Sequence, residues 1–560
     1  MKKKCYLVSV LTAGLLLAGC SKELDSTLEN GIVEGAVGYV KVAINLPSLS
    51  NTTRGLNDRF DDGLPEEYQV NDAIMVFFTG TDESSAKLVK AYNVNLDDWS
   101  NSDNEHITTK SVILQEAPFP ATGYELYALV ILNPNKVVSV SGNGLSVSGY
   151  ALRPEDGVTI KDLQTFLTDQ KVSDYTKTGN KASFLMTNSP LAKVNGSEAS
   201  PTILRQVNVY ETKTAADAVK IPDQIYVERA VAKVTLSGFD YDENDGYSKE
   251  VTGDSGSSIF AGDKVYLEGW SLNITNKSTA LVRNITGFDT WKTIKDTKGT
   301  YYFIGTNNIV DDLYRIYWAR DYNYDSEEGG FNIYTNKTAD KDIPWNENAE
   351  REDFSAPLYC LENTMNVEMA KADNPKITYV VLKTKYEIDA EVGAQDFFVL
   401  QNNPKEGTLV LSDLLAKVNE LCSLSLTSIN PNAKGGTKDT VDEIIDLFGN
   451  SSINEAQAQL ILSELGPINY YKDGDCYYYT SYIEHFGDDY AKNPRDTNAG
   501  ATSTSGLGYY GVVRNNWYNI NIQEINGPGE PEIVPPTDNG FIKTQINILS
   551  WAKRSQDEVL

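Results

Sequence analysis

Hydrophobic and polar residues alternate over short stretches along most of this 560-residue chain. Residues 39–46 (YVKVAINL) place Val40, Val42, Ile44 and Leu46 on one face and Tyr39, Lys41, Ala43 and Asn45 on the other. That period of two predicts a half-buried strand, ended by Pro47. Residues 541–551 (FIKTQINILSW) repeat the pattern, with Ile542, Ile546 and Ile548 sharing a face with Thr544 and with Trp551 closing the stretch. Apolar runs at 73–78 (AIMVFF) and 124–132 (YELYALVIL) predict buried strands. Residues 224–236 (QIYVERAVAKVTL) read as one long strand, and 378–386 and 517–522 alternate. Clusters of Gly, Asn, Asp and Ser between them mark turns. Many short strands of this kind point to a mainly β chain built of β-sandwiches.

Helical spacing is rare and local. Leu411, Leu414, Leu415, Val418 and Leu421 recur at helix period, as do Val441, Ile444, Ile445 and Phe448 before the stop at Gly449. A third helix spans about 453–465 and ends at Gly466-Pro467, and a short one lies near 160–167. These read as insertions that pack on a sheet. The polar, Gly-rich stretch 240–258 marks the main domain boundary, and 526–539 (NGPGEPEIVPPTDN) reads as an exposed, Pro-stiffened arm.

The N-terminus changes the picture from a plain β protein to an exported one. Lys2, Lys3 and Lys4 precede an apolar stretch that ends in Leu17-Ala18-Gly19-Cys20. The stretch is shorter than the ~20 residues a spanning helix needs. Small residues before a cleavage point mark a signal peptide, and a cysteine directly after them is the bacterial lipoprotein pattern. Cys20 is therefore the expected lipidation site, holding the precursor at the outer membrane by its acyl chains.

Charge and rare residues then narrow the chemistry. The formal net charge of −29 repels nucleic acid and anionic lipid. Of five cysteines, Cys5 is removed, Cys20 is acylated, and Cys360, Cys422 and Cys476 lie far apart with no metal spacing; buried free thiols are the expectation. His106 and His485 are the only histidines. His485 reads as structural and His106 as solvated, so no histidine-based hydrolase is expected. Asp240, Asp242, Asn244 and Asp245 lack the Gly and Glu of a calcium loop and read as a solvated turn, as do Asp321, Asp325, Glu327 and Glu328. Tyr477, Tyr478 and Tyr479 alternate faces in a strand and read as core packing rather than a sugar platform. No catalytic residues, metal or cofactor are expected.

The two alternating segments allow two readings. Each is an ordinary strand of its own sandwich, or one is removed and the other replaces it from a neighbouring subunit. Extended peptides complete sheets in this way. Four buried aliphatics contribute about 6–12 kcal/mol before ordering costs, enough for a durable head-to-tail junction that builds a fibre.

Seven segments in order behind the Cys20 motif give the chain its resemblance. They are 184–190 (FLMTNSP), 227–234 (VERAVAKV), 269–277 (GWSLNITNK), 314–324 (YRIYWARDYNY), 359–364 (YCLENT), 470–479 (YYKDGDCYYY) and 509–522 (YYGVVRNNWYNINI). Together they resemble the Mfa-type and FimA-type fimbrillins of Bacteroidales, nearest the Mfa-type major subunits. The resemblance implies two transthyretin-like β-sandwich domains with a few inserted helices. It implies a signal peptide at 1–19, a lipidated propeptide with a removable strand at 20–54, sandwich domains at 55–250 and 251–530, and an arm with a C-terminal donor strand at 531–560.

An Arg-specific protease would cut between Arg54 and Gly55, with Arg59 as the alternative position of the cut. The cut discards Val40, Val42, Ile44 and Leu46 with the lipid. The groove would then take Ile542, Ile546, Ile548 and Trp551 of the next subunit. What is implied is a non-enzymatic pilus-shaft subunit that starts as an outer-membrane lipoprotein and ends in a surface fimbrium supporting adhesion or biofilm. Its partners would be other copies, related fimbrial subunits and a receptor on a host or bacterial surface. The alternatives are a tip adhesin or an anchored glycan-binding lipoprotein.

Overall fold

A computed structural model describes residues 31–46, 64–95, 109–168, 170–195, 198–243, 246–252, 259–295, 301–310, 312–326, 329–335, 337–347, 356–388, 395–403, 406–449, 452–534, 542–549 and 554–555. The chain is mainly β, as the alternation predicts. Strands β1 (Ile32–Asn45), β2 (Ala73–Gly80), β3 (Lys87–Asn93), β4 (Thr109–Pro120), β5 (Glu125–Leu132), β6 (Met186–Asn188) and β7 (Asp223–Arg229) form the first sheet. Their order across it is β3-β2-β5-β6-β7-β1-β4. β2 and β5 are apolar runs because every residue of β2 is buried, as is all of β5 after Glu125. A smaller four-stranded sheet, 191–202 with 304–316, supplies Ala192, Ile304 and Ile316 to the same core.

Residues 224–236 are not one strand. β7 ends at Arg229, and β8 (Ala232–Ser237) belongs to another sheet. Between them Ala230 donates its N–H to Leu185 O, and Ala230 and Val231 are both buried. The apolar run continues because both sheets bury it, so hydrophobicity alone does not mark the break.

The second unit is a two-layer β-sandwich. One layer holds β10 (Leu358–Cys360), β8, β13 (Trp517–Ile525) and β14 (Ile542–Leu549), in that order, and then the two-residue strand Arg554–Ser555. The other holds the short strands Asp240–Asp242 and Gly246–Glu250, then β9 (Lys264–Asn273), β11 (Tyr379–Glu387) and β12 (Asp475–Tyr479). Val234, Leu236, Tyr518, Ile520 and Ile522 of the first layer meet Val265, Trp270, Leu382, Cys476 and Tyr478 of the second. Facing sheets whose inner residues alternate along each strand are the sandwich arrangement. Tyr478 and Tyr479 are buried, in keeping with core packing.

The predicted helices are α1 (Leu411–Cys422), α2 (Val441–Phe448) and α3 (Glu455–Leu465). They pack on a three-stranded sheet around a core of their own that includes Leu414, Val418, Ile444, Leu447, Ile461 and Phe398. Thr440 and Asn454 cap α2 and α3, each reciprocated by the residue three places on. This module is inserted between β11 and β12.

Two further expectations need correction. Residues 526–534 are not an exposed arm: Glu530 pairs with Tyr477 through both backbone groups, and Tyr478 and Tyr471 donate their hydroxyls to Gly527 O and Gly529 O. Asp321 is not solvated. It is buried, and its carboxylate accepts from Asn276 Nδ2 at 2.5 Å and Thr364 N at 2.9 Å. Asp240 and Asp242 are exposed, but they lie in a short strand rather than a turn, and Asn244 and Asp245 lie outside the described residues. Cys360, Cys422 and Cys476 are free and buried. His485 is buried, with Nδ1 2.8 Å from the Tyr518 hydroxyl and Nε2 2.7 Å from Tyr317 O. His106, Glu327 and Glu328 lie outside the described residues.

Candidate assembly groove

The residues singled out from sequence divide between the two sheets. β1 lies inside the first sheet. It pairs antiparallel with β4 from Ile32 to Asn45 and parallel with β7 from Val42 to Asn45. Its first half differs from its second. Between Ile32 and Val40 the pairing with β4 is broken by two register shifts, and Val33 and Val37 are exposed. From Val40 onward the strand is in the core: Val40 and Val42 are 0% exposed, Ile44 1% and Leu46 7%. The four aliphatics picked out by alternation therefore fill one continuous slot.

Three further residues of β1 have fixed places that alternation alone does not reveal. A Cβ on Gly38 would come within 2.5 Å of the Phe119 ring and 2.7 Å of Tyr210 O, so the close approach admits only glycine. Beside it Tyr39 and Tyr210 exchange both backbone hydrogen bonds, at 2.8 and 2.7 Å. Lys41 Nζ donates to Val219 O at 2.7 Å and Asp217 O at 3.1 Å. Asn45, itself buried, donates Nδ2 to Gln224 Oε1 at 3.0 Å and to Ile225 O at 3.3 Å. A Lys and an Asn on the less apolar face of a buried strand were the signal available in sequence. Asp223, the register partner of Val42, has its carboxyl pushed up by burial, against the lowering effect of hydrogen bonds from Asn208.

β14 lies in the other sheet, antiparallel to β13. Ile542 is opposite Ile525, Ile546 opposite Ile520 and Ile548 opposite Tyr518. Among the described residues only Arg554–Ser555 lies beyond it, so it is next to the sheet edge. Cys20, Arg54, Gly55, Arg59 and Trp551 lie outside the described residues. The structure therefore does not bring the two alternating strands together in one subunit.

Buried charges tie the two cores at their junction. Glu67 sits on a 3₁₀ turn (Pro65–Tyr68), and Lys233 is on β8. Their side chains are 3.0 Å apart and both nearly inaccessible. Arg229, at the end of β7, donates Nε to Glu67 O at 2.9 Å, and Tyr359 of β10 donates its hydroxyl to Glu67 at 2.5 Å. Burial pulls the Arg229 guanidinium down to about 10. Among the described residues, no cluster of three or more His, Cys, Asp or Glu side chains is placed to hold a metal, and no helix is long and apolar enough to cross a membrane.

The fold and the groove define a β-sandwich protein with an inner N-terminal strand and a near-edge C-terminal one. Residues 469–557 match the family of the major fimbrial subunit protein type IV, fimbrillin, C-terminal. Over this region the chain is similar to the fimbrillin family. Among solved structures, it is similar to a fimbrilin (FimA) from Porphyromonas gingivalis W83 at 12% identity and TM-score 0.36, over 92% of this chain and 99% of that one. It is also similar to the tip fimbrial protein Mfa3 of Porphyromonas gingivalis, with C-terminal truncation, at 10% identity and TM-score 0.31, over 92% and 100%. Likeness at these scores carries no functional weight. Comparison with curated proteins finds no match.

Proposed function

We propose that the chain is the structural subunit of a fimbria, a pilus-shaft protein polymerised by exchange of β-strands. In this account the precursor is exported, acylated on Cys20 and held at the outer membrane. An Arg-specific protease cuts between Arg54 and Gly55, and β1 departs with the lipid. Loss of β1 leaves β4 and β7 with unpaired backbone edges on the two sides of a slot that Val40, Val42, Ile44 and Leu46 had filled. Ile542, Ile546, Ile548 and Trp551 of another copy enter it.

The observation that carries the reading is the position of β1. It is an inner strand, hydrogen-bonded on both sides, directly upstream of the one arginine pair, Arg54 and Arg59, before the first sheet continues. An unfilled slot of that kind exposes apolar surface and unpaired amides together, which favours a replacement strand. The position of β14 near a sheet edge supports its role as the strand that is lent.

The test is assembly of purified full-length protein with an Arg-specific protease. Wild type forms fibres after cutting, and Arg54→Ala stays monomeric. Fibres from Arg54→Ala at the wild-type rate would place the cut elsewhere, at Arg59 in the first instance. A surface form that retains acylated Cys20 and binds a polysaccharide saturably would instead support an anchored binding protein.

A further inference from the structure

The strand that leaves and the strand proposed to replace it share more than alternation. Residues 38–46 read Gly-Tyr-Val-Lys-Val-Ala-Ile-Asn-Leu, and residues 540–548 read Gly-Phe-Ile-Lys-Thr-Gln-Ile-Asn-Ile. Aligned without a gap, Gly, Lys, Ile and Asn are identical, and an aromatic meets an aromatic. Ile542 and Ile548 stand at the places of Val40 and Leu46. Amphipathic strands in general share aliphatics at every second place. They do not share a glycine, a lysine and an asparagine at fixed offsets.

Those three are the residues whose places in the groove are set by contact. Gly38 lies too close to Phe119 and Tyr210 O for any side chain. Lys41 caps the carbonyls of Asp217 and Val219. Asn45 bonds to Gln224 and Ile225. In its own sheet β14 meets different partners, with Lys543 opposite Glu524 and Asn547 opposite Asn519.

Resting on the strand-exchange reading, we infer that the C-terminal strand enters a neighbour's groove in the direction and register of the strand it replaces, with Gly540 at the place of Gly38, Lys543 at that of Lys41, Ile546 at that of Ile44 and Asn547 at that of Asn45. Lys543 and Asn547 are then the residues that select register and partner. The incoming strand runs parallel to β7 and antiparallel to β4. A slip of one residue turns Lys543 and Asn547 into the aliphatic slot. A slip of two keeps the faces but takes Lys543 away from its carbonyls and Gly540 away from the close approach. The departures are Thr544 for Val42 and Gln545 for Ala43, both at buried places. They make the incoming strand the poorer fit, so exchange waits for the resident strand to be cut free.

Register is read by disulfide trapping. Ser111 of β4 is the partner of Ala43, with Ile113 and Thr109 the partners of Lys41 and Asn45. Opposed residues in an antiparallel pair have Cα atoms about 4.5–5.5 Å apart, within disulfide reach, whereas diagonal ones at about 7–8 Å are not. Full-length Gln545→Cys/Ser111→Cys protein, cut and then oxidised, should give a reducible ladder of oligomers on a denaturing gel. Gln545→Cys with Ile113→Cys or Thr109→Cys should not. A ladder strongest in either of those pairs, or none in any pair while fibres form, overturns the register. Fibres that still form after deletion of residues 541–560 sink the exchange reading itself. Should the cysteine variants not assemble, Lys543→Glu and Asn547→Ala should each slow fibre growth by about tenfold or more and Thr544→Val should speed it. Unchanged rates in all three contradict the inference.

Discussion

Asp321 shows how far a single acidic residue can depart from its sequence-based reading. Burial raises its carboxyl to about 8, against the lowering effect of hydrogen bonds from Thr364 and Asn276. The folded-state value lies above the ordinary 3.8. Between those two values the folded chain holds a proton that the unfolded chain releases, so stability falls as pH rises from about 4 towards 8 and levels off above. Asp321→Asn should flatten this slope and raise the melting temperature at about pH 8 relative to wild type. An unchanged pH profile would show that Asp321 is ionised in the fold. The Glu67–Lys233 pair is the opposite case, two buried charges that satisfy one another. Glu67→Ala should cost about 3–5 kcal/mol in urea unfolding, because Lys233 is left buried without its carboxylate. A cost below about 1 kcal/mol, the range of surface pairs, would mean that water reaches the junction.

At the scale of elements, β1 carries the functional argument, and its two roles separate by mutation. Ile44→Ala should destabilise the uncut precursor by about 2–5 kcal/mol, the usual range for a buried Ile. It should leave the stability of assembled fibres unchanged, because the strand is gone from them. Equal losses in both forms, measured by denaturant titration, would mean that β1 stays in the fibre. Much of this element level was legible in the sequence. The period-two segment at 39–46, the apolar runs of β2 and β5 and the capped helices α2 and α3 carry local signals that tertiary context does not override. Two features were not legible. The break at Ala230–Val231 lies inside a run buried on both sides, where no polar residue marks the change of sheet. The segment 526–534 has the composition of a linker, yet the tyrosines of β12 and its neighbours hold it down through backbone carbonyls that composition cannot reveal. The slot residues of the groove followed from alternation. The roles of Gly38, Lys41 and Asn45 did not, since each depends on a carbonyl or a ring brought close by distant parts of the chain.

At the scale of the whole molecule, the first core is not closed by the first half of the chain. Trp291, Phe303, Trp318, Phe486 and Tyr509 all join the cluster that holds Val40, Val42 and Ile44. Residues 55–250 expressed alone should therefore lack a cooperative melting transition, whereas the chain from 55 to 560 regains one when a peptide of residues 38–46 fills the slot. A sharp transition in the short fragment would show that its core is self-sufficient. Under the proposed strand exchange, dependence of one core on distant chain would keep the framework of the groove in place once its inner strand had been cut away.

The central claim is that assembly follows removal of β1. It is tested most directly by N-terminal sequencing and intact mass of subunits recovered from assembled fibres. The account predicts chains that begin at Gly55 and contain no residue of 38–46. Fibres built of subunits that still carry Val40 to Leu46 would contradict it.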